Sequence, residues 1–212
     1  FVGLLRHAGD WTKHIRGLEA ENSSEPDKYV LLFSRPANPE IISLEEKITL
    51  LGWAIGVCQE LSQPLRIKAH PKERLESEVV EFLRASGWVD WDYTSRHPLA
   101  TSTKCSFALT FVSTLVVDMA LLGVPCIQIR DYTDISSNQG TQVLRDSESR
   151  FDKLNRFVHA GIVTLATSRD ELGTLARAAQ RERNSFVAPN QQQARLLFGP
   201  RKSNRMIASR IL

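Results

Sequence analysis

The chain has 212 residues, 42 % of them hydrophobic and 24 % charged, enough for one sizeable core in an ordinary globular protein. Its net charge of +3 is no nucleic-acid signature, since Lys and Arg are scattered and cluster only mildly from Arg195 to Arg210. The three cysteines, Cys58, Cys105 and Cys126, lie in apolar surroundings without metal spacing and read as buried thiols in a reducing compartment.

Residues 1–27 show weak periodicity and end in the polar run Glu21 to Asp27, as a linker or the end of a preceding domain would. The chain opens on Phe1, with no signal pattern behind it. That suits a piece of a longer protein, or numbering from a first ordered residue. Tyr29 to Phe33 is a continuous apolar run, expected of a strand covered on both faces. Ser34-Arg35-Pro36 ends it. Ser43-Leu44-Glu45-Glu46 matches a capping box, and Leu44, Ile48, Leu51, Ile55 and Cys58 recur at helical spacing to about Leu61.

Leu65 to Ala69 predicts the second strand and Arg74 to Ala85 the second helix, stopped by Gly87. Trp88 to Trp91 reads as a short extended piece before a loop carrying His97-Pro98. Phe107 to Phe111 is the next expected strand, Thr114 to Leu122 a short helix closed by Gly123, and Val124 to Ile129 another strand. The apolar window from Phe107 to Ile129 contains Asp118, Gly123 and Pro125, so it reads as a core unit and not a membrane span. Ile162 to Leu165 predicts the last strand. Ser168 caps a helix to about Arg183, and Pro189 onward is expected helical up to Gly199-Pro200. This alternation predicts an α/β fold, a Rossmann-like parallel sheet with helices on both faces. Its domain would span 28–188, with 189–212 a C-terminal helical segment packing on it.

Ligands of such sheets bind beyond the carboxyl ends of the strands. There Lys68-Ala69-His70-Pro71 places an imidazole that can donate to a phosphate, or that merely caps the next helix. Pro71 turns the chain away from the strand direction. Lys68 and Lys72 read first as solvated amines. Ser113 and Thr114 open a helix straight from an apolar strand. They can serve as a helix cap, and the same geometry presents hydroxyls and backbone N–H groups to an anion. Asp118 interrupts an apolar helix and needs either the hydroxyls of a ligand or a structural partner. Arg35 either completes a cationic rim or is an exposed loop side chain. His97-Pro98 reads as loop punctuation. The polar segment Arg130 to Gly140 follows a strand, where function often resides. No Ser-His-Asp order, metal cluster, Walker loop or Gly-rich dinucleotide turn is present.

Lys68-Ala69-His70-Pro71, Ser113-Thr114-Leu115-Val116-Val117-Asp118-Met119-Ala120 and Leu122-Gly123-Val124-Pro125-Cys126-Ile127, in that order, resemble the carboxyl-terminal, donor-binding half of two-domain GT-B glycosyltransferases. The likeness covers about residues 28–212, its end being Leu197 to Leu212. Each motif alone is short. It is nearest to bacterial surface-polysaccharide enzymes with cytidine-nucleotide donors: sialyltransferases, capsule Kdo transferases and CDP-glycerol glycerophosphotransferases.

The resemblance implies a CMP- or CDP-linked sugar as substrate and a glycan as acceptor, with no cofactor and no metal. It places His70 as the catalytic group. His70, Pro71, Ser113, Thr114, Arg35 and Lys72 would hold the donor phosphate, with Asp118 at the ribose or base. It implies a cytoplasmic setting, compatible with a peripheral place at the inner membrane face, with no integral membrane segment and no nucleic-acid partner. The acidic catalytic motif would lie in an amino-terminal partner domain, so this chain alone is expected to be inactive. UDP-N-acetylglucosamine 2-epimerases share the architecture and the Leu-Gly-Val-Pro turn, but carry a Ser-Gly-Gly-type loop where this chain has Ser113-Thr114-Leu115. A non-catalytic nucleotide-binding or interaction domain is the third reading, expected if His70 and Ser113 lie far apart.

Overall fold

The computed structural model describes residues 28–38, 41–71, 73–88, 90–102, 104–131 and 155–198. In chain order these form β1 (Tyr29–Phe33), α1 (Leu44–Glu60), β2 (Leu65–Lys68), α2 (Ser77–Ala85), β3 (Trp91–Thr94), α3 (Pro98–Thr101), β4 (Cys105–Thr110), α4 (Leu115–Leu122), β5 (Cys126–Ile129), β6 (Thr164–Ala166), α5 (Arg169–Arg181) and α6 (Arg183–Phe198). A further helical turn covers 155–159. The six strands are parallel throughout and lie in the order β3-β2-β1-β4-β5-β6. The protein is therefore a Rossmann-like α/β fold, and the strand order reverses direction between β1 and β4.

Alternation along the strands splits the core. Val30 and Leu32 of β1, with Leu65, Ile67, Phe107 and Leu109, point to the face covered by α1, α2 and α5. Tyr29, Leu31 and Phe33 point to the other face, where Leu99, Val116, Met119 and Ala194 of α3, α4 and α6 cover them. With both sides dry, β1 needs no polar alternation, hence its unbroken apolar run. Leu50 and Leu51 of α1 are 0 % and 1 % exposed, and such burial stabilises by ~1.5–3 kcal/mol per side chain.

Local signals set the helix ends. Ser43 Oγ accepts from the Glu46 N–H at the start of α1, and Ser168 Oγ from the Glu171 N–H at the start of α5. Gly123 closes α4 at φ 71°, a left-handed conformation that an L side chain adopts only with strain.

Boundaries differ from the sequence expectation in several places, β4 beginning at Cys105 rather than Phe107 and β5 at Cys126 rather than Val124 among them. The extended piece is Trp91–Thr94, not Trp88 to Trp91; it is an edge strand with half its side chains outside the core, so no apolar run marks it. α2 begins at Ser77 and not Arg74, because Glu73 and Glu76 are held by Lys47 in an extended approach. β6 is Thr164–Ala166 rather than Ile162 to Leu165. α6 starts at Arg183 and carries Pro189 inside it, running through the point where the C-terminal segment was expected to begin. Arg183 donates to the carbonyls of Cys105 and Ser106, and Gln191 to that of Leu121, which ties α6 to β4 and α4. Gly199-Pro200 lies outside the described residues.

Candidate functional site

Register delivers the site. Phe33 pairs with Lys68 on one side and Thr110 on the other, so β1, β2 and β4 end level. The segments that follow, Ser34-Arg35, Ala69-His70-Pro71 and, one residue beyond Phe111, Val112-Ser113-Thr114, leave the same edge at the point where the strand order reverses. A cavity of about 370 Å³ opens there, within the range of small-ligand sites. Its described lining includes Arg35, Lys68, His70, Ser113, Thr114 and Arg156, beside Ser34, Pro71, Pro98 and the apolar Phe33, Val112, Leu115 and Phe157. No carboxylate is among the described lining residues.

His70 and Ser113, separated in sequence, thus share one cavity. The His70 side chain is exposed, while its backbone N–H donates to Glu73 Oε2 at 2.9 Å. Ser113, not Thr114, caps α4: its Oγ accepts from the Leu115 N–H at 3.1 Å, and Thr114 makes no side-chain cap bond. A serine hydroxyl that accepts one bond keeps its hydrogen to donate to an anion, and the α4 N-terminus adds its positive dipole end.

Arg35 is partly buried and lines the cavity. Its Nη1 donates to the Val112 carbonyl at 3.3 Å, crossing from the β1 loop to the β4 loop. Burial, then the neighbouring Arg130 guanidinium, lowers its pKa, with Glu73 opposing. Lys68 corrects the sequence expectation of a solvated amine. It is 7 % exposed, its Nζ donates to the Ala69 carbonyl, and burial lowers its pKa against the pull of Glu73. An anion in the cavity would offset the desolvation of both cations.

Asp118 is 2 % exposed on α4 and is not part of the cavity lining. His97 is more than punctuation: its Nδ1 accepts from the Leu99 N–H and caps α3, and Pro98 reaches the cavity. Arg130 is 3 % exposed, donates to the Ile41 carbonyl and pairs with Glu46. Lys72 and residues 132–140 of the polar segment lie outside the described residues.

Sequence reasoning missed the support beneath the cavity. Lys47 Nζ lies 2.8 Å from Glu73 Oε1 and 2.6 Å from Glu76 Oε2, with the Lys47 and Glu73 side chains fully buried. Ser34 Oγ donates to the same Glu73 oxygen at 2.6 Å, and the Ala37 N–H to Glu76 Oε1 at 2.8 Å. A signal existed: Lys47 falls three residues after Leu44 and four before Leu51, on the apolar stripe of α1, where an amine must be paired. Arg156 and Phe157 were also missed. They reach the cavity from the 155–159 turn, with the guanidinium 4.8 Å from the Phe157 ring centroid. Among the described residues, no cluster of His, Cys, Asp and Glu could hold a metal ion, and no helix is long and apolar enough to cross a membrane.

No protein-family model and no curated protein matches the sequence. Solved structures do match in fold. A UDP-GlcNAc 2-epimerase from Methanocaldococcus jannaschii, in complex with UDP-GlcNAc and UDP, aligns with a TM-score of 0.57 at 17 % identity, covering 98 % of this chain and 54 % of that one. The Neisseria meningitidis UDP-GlcNAc 2-epimerase bound to UDP-GlcNAc gives 0.56 at 13 % identity, over 96 % of this chain and 49 % of that one. The wall teichoic acid polymerase TagF gives 0.51 at 14 %, over 95 % and 46 %. The chain spans about half the length of each. At these identities the likeness establishes the fold, a Rossmann-like unit of the kind found in GT-B proteins.

Proposed function

We propose that this chain is the donor-binding domain of a glycosyltransferase, with the cavity at the β1/β4 reversal holding the phosphate of a cytidine-nucleotide-linked sugar. The observation that carries the reading is the lining itself: Arg35, Lys68, Arg156, His70, Ser113 and Thr114 converge on one cavity, and no described lining residue is a carboxylate. His70, Ser113 and Thr114, with Pro71 shaping the turn, would contact the phosphate, and Arg35 would complete the rim. Lys72 is proposed as a further phosphate ligand from its place beside Pro71.

The chemistry is leaving-group stabilisation. As the glycosidic bond breaks, its electron pair passes to the phosphate oxygen and charge grows there. Fixed donors already aimed at those oxygens lower the barrier without reorganising. A general base for the acceptor hydroxyl would come from a partner domain, so the isolated chain should bind donor without transferring it. The work belongs in surface-polysaccharide assembly, with a glycan acceptor and a cytoplasmic setting.

A second reading, a UDP-sugar-binding protein of the 2-epimerase type, is favoured by the two epimerase structures, whose TM-scores of 0.57 and 0.56 exceed the 0.51 of the polymerase. Against it stands Ser113-Thr114-Leu115 in place of a Gly-rich loop. Calorimetric titration with CMP, CDP, UMP and UDP separates the two. Cytidine-selective binding, weakened about tenfold by His70→Ala, supports the transferase; uridine preference supports the epimerase type. Binding of none would reject both and leave an interaction domain.

A further inference from the structure

We propose that Glu73, anchored by Lys47, is the positioning residue of this anion site, one buried carboxylate that locks the turn after β1 and the turn after β2 into a single preformed rim. The inference rests on the cavity being a nucleotide-phosphate site, and it concerns residues that do not touch the ligand.

Both Glu73 oxygens are used. Oε1 accepts from Lys47 Nζ at 2.8 Å and from Ser34 Oγ at 2.6 Å, while Oε2 accepts from the His70 N–H at 2.9 Å. The Glu73 N–H in turn donates to the His70 carbonyl at 2.8 Å. The His70–Glu73 turn is thereby closed by a reciprocal pair of bonds, and the imidazole's backbone has little freedom left. Lys47 makes a second clasp. It bonds Glu76 at 2.6 Å, and Glu76 accepts from the Ala37 N–H at 2.8 Å. Ser34 and Ala37 flank Arg35, so the two carboxylates grip the β1 loop on both sides of the rim arginine. α1, which contributes no lining residue, supplies the bolt.

Electrostatics alone predicts the opposite behaviour. Glu73 lies near enough to Arg35 and Lys68 to act on both charges, and a negative charge there repels an incoming phosphate. Neutralising it should tighten anion binding if charge were all that mattered, and should weaken it if position matters. The two accounts differ in sign.

The test is calorimetric affinity for CDP and UDP, measured on the full chain as wild type, Glu73→Gln, Glu73→Asp, His70→Ala and the Glu73→Gln/His70→Ala double variant. The expected result is about tenfold weaker binding for Glu73→Gln and for Glu73→Asp, the latter keeping the charge but shortening the reach. The double variant should lose less than the sum of the two single losses, because part of the Glu73 effect acts through His70. Unchanged or tighter binding by Glu73→Gln, or fully additive losses, would overturn the positioning role while leaving the cavity assignment intact. Should Glu73→Gln fail to fold, Glu73→Asp carries the decision, with wild-type affinity counting against the role. If the wild-type chain binds neither nucleotide, the cavity assignment itself falls.

Discussion

Replacing Lys47 with Met keeps most of the side-chain volume and removes only the charge and its donors. Lys47 is 0 % exposed, bridges two carboxylates at 2.8 and 2.6 Å, and faces a Glu73 side chain that is also fully buried. After the change Glu73 keeps Ser34 Oγ and the His70 N–H, but its charge has lost Lys47, the one cation bonded to it among the described residues. Glu76, 20 % exposed, can recruit water. Breaking one side of a buried ion pair costs about 3–5 kcal/mol, and at this chain length that lowers Tm by about 6–20 °C.

The loss should also depend on pH. Burial raises the Glu76 pKa, but the Ala37 N–H and Lys47 bonds outweigh it and hold Glu76 below its usual value of 4.5. A carboxylate with a depressed folded pKa stabilises fully above the unfolded value and loses that contribution as pH falls through the folded one. The gap between wild type and Lys47→Met should therefore be full above about pH 5 and narrow below it. Urea denaturation from pH 3.5 to 7.5 measures it. A loss under 1 kcal/mol at pH 7, or a gap that widens toward acid, would refute the buried-clasp account.

Gly123→Ala should cost about 1 kcal/mol, since φ is 71° and the added Cβ would meet Gln191 Nε2 at 3.3 Å; thermal denaturation reads it. Cys58, Cys105 and Cys126 are buried, and burial raises all three thiols, Cys105 to about 12. A thiol reagent at pH 8 should thus modify the native chain only as fast as it opens, and modify all three at once in denaturant; rapid native labelling would contradict the packing. Arg183→Ala should cost about 1–3 kcal/mol, because it strands the Cys105 and Ser106 carbonyls. A loss within ±0.5 kcal/mol in urea would show that those bonds contribute nothing.

Much of the fold was legible. β1 announces itself as an uninterrupted apolar run because both faces of the sheet are covered, β4 as a mostly apolar one broken by Ser106 and Thr110, and α1, α4 and α5 carry their caps in sequence at Ser43, Gly123 and Ser168. β3 was displaced because Asp92 and Tyr93, on an edge strand, face solvent and break any run. α6 began earlier than expected because Pro189 reads as a helix start, whereas contacts of Arg183 and Gln191 with β4 and α4 hold the helix through it.

Of the site, His70, Ser113, Thr114 and Arg35 could be picked out because strand-end chemistry is local. Lys68 misled: its stem lies in a strand covered on both faces, so the amine is buried at the strand's end. The Lys47–Glu73–Glu76 clasp and the arrival of Arg156 depend on partners distant in sequence, and no local pattern encodes who meets whom.

The most direct test of the central claim is a crystal structure of this chain with CDP. The expected result is a phosphate oxygen within hydrogen-bond distance of the His70 imidazole and the Ser113 hydroxyl, with Arg35 on the same group. A nucleotide bound elsewhere on the fold, or a phosphate that meets neither His70 nor Ser113, would contradict the account.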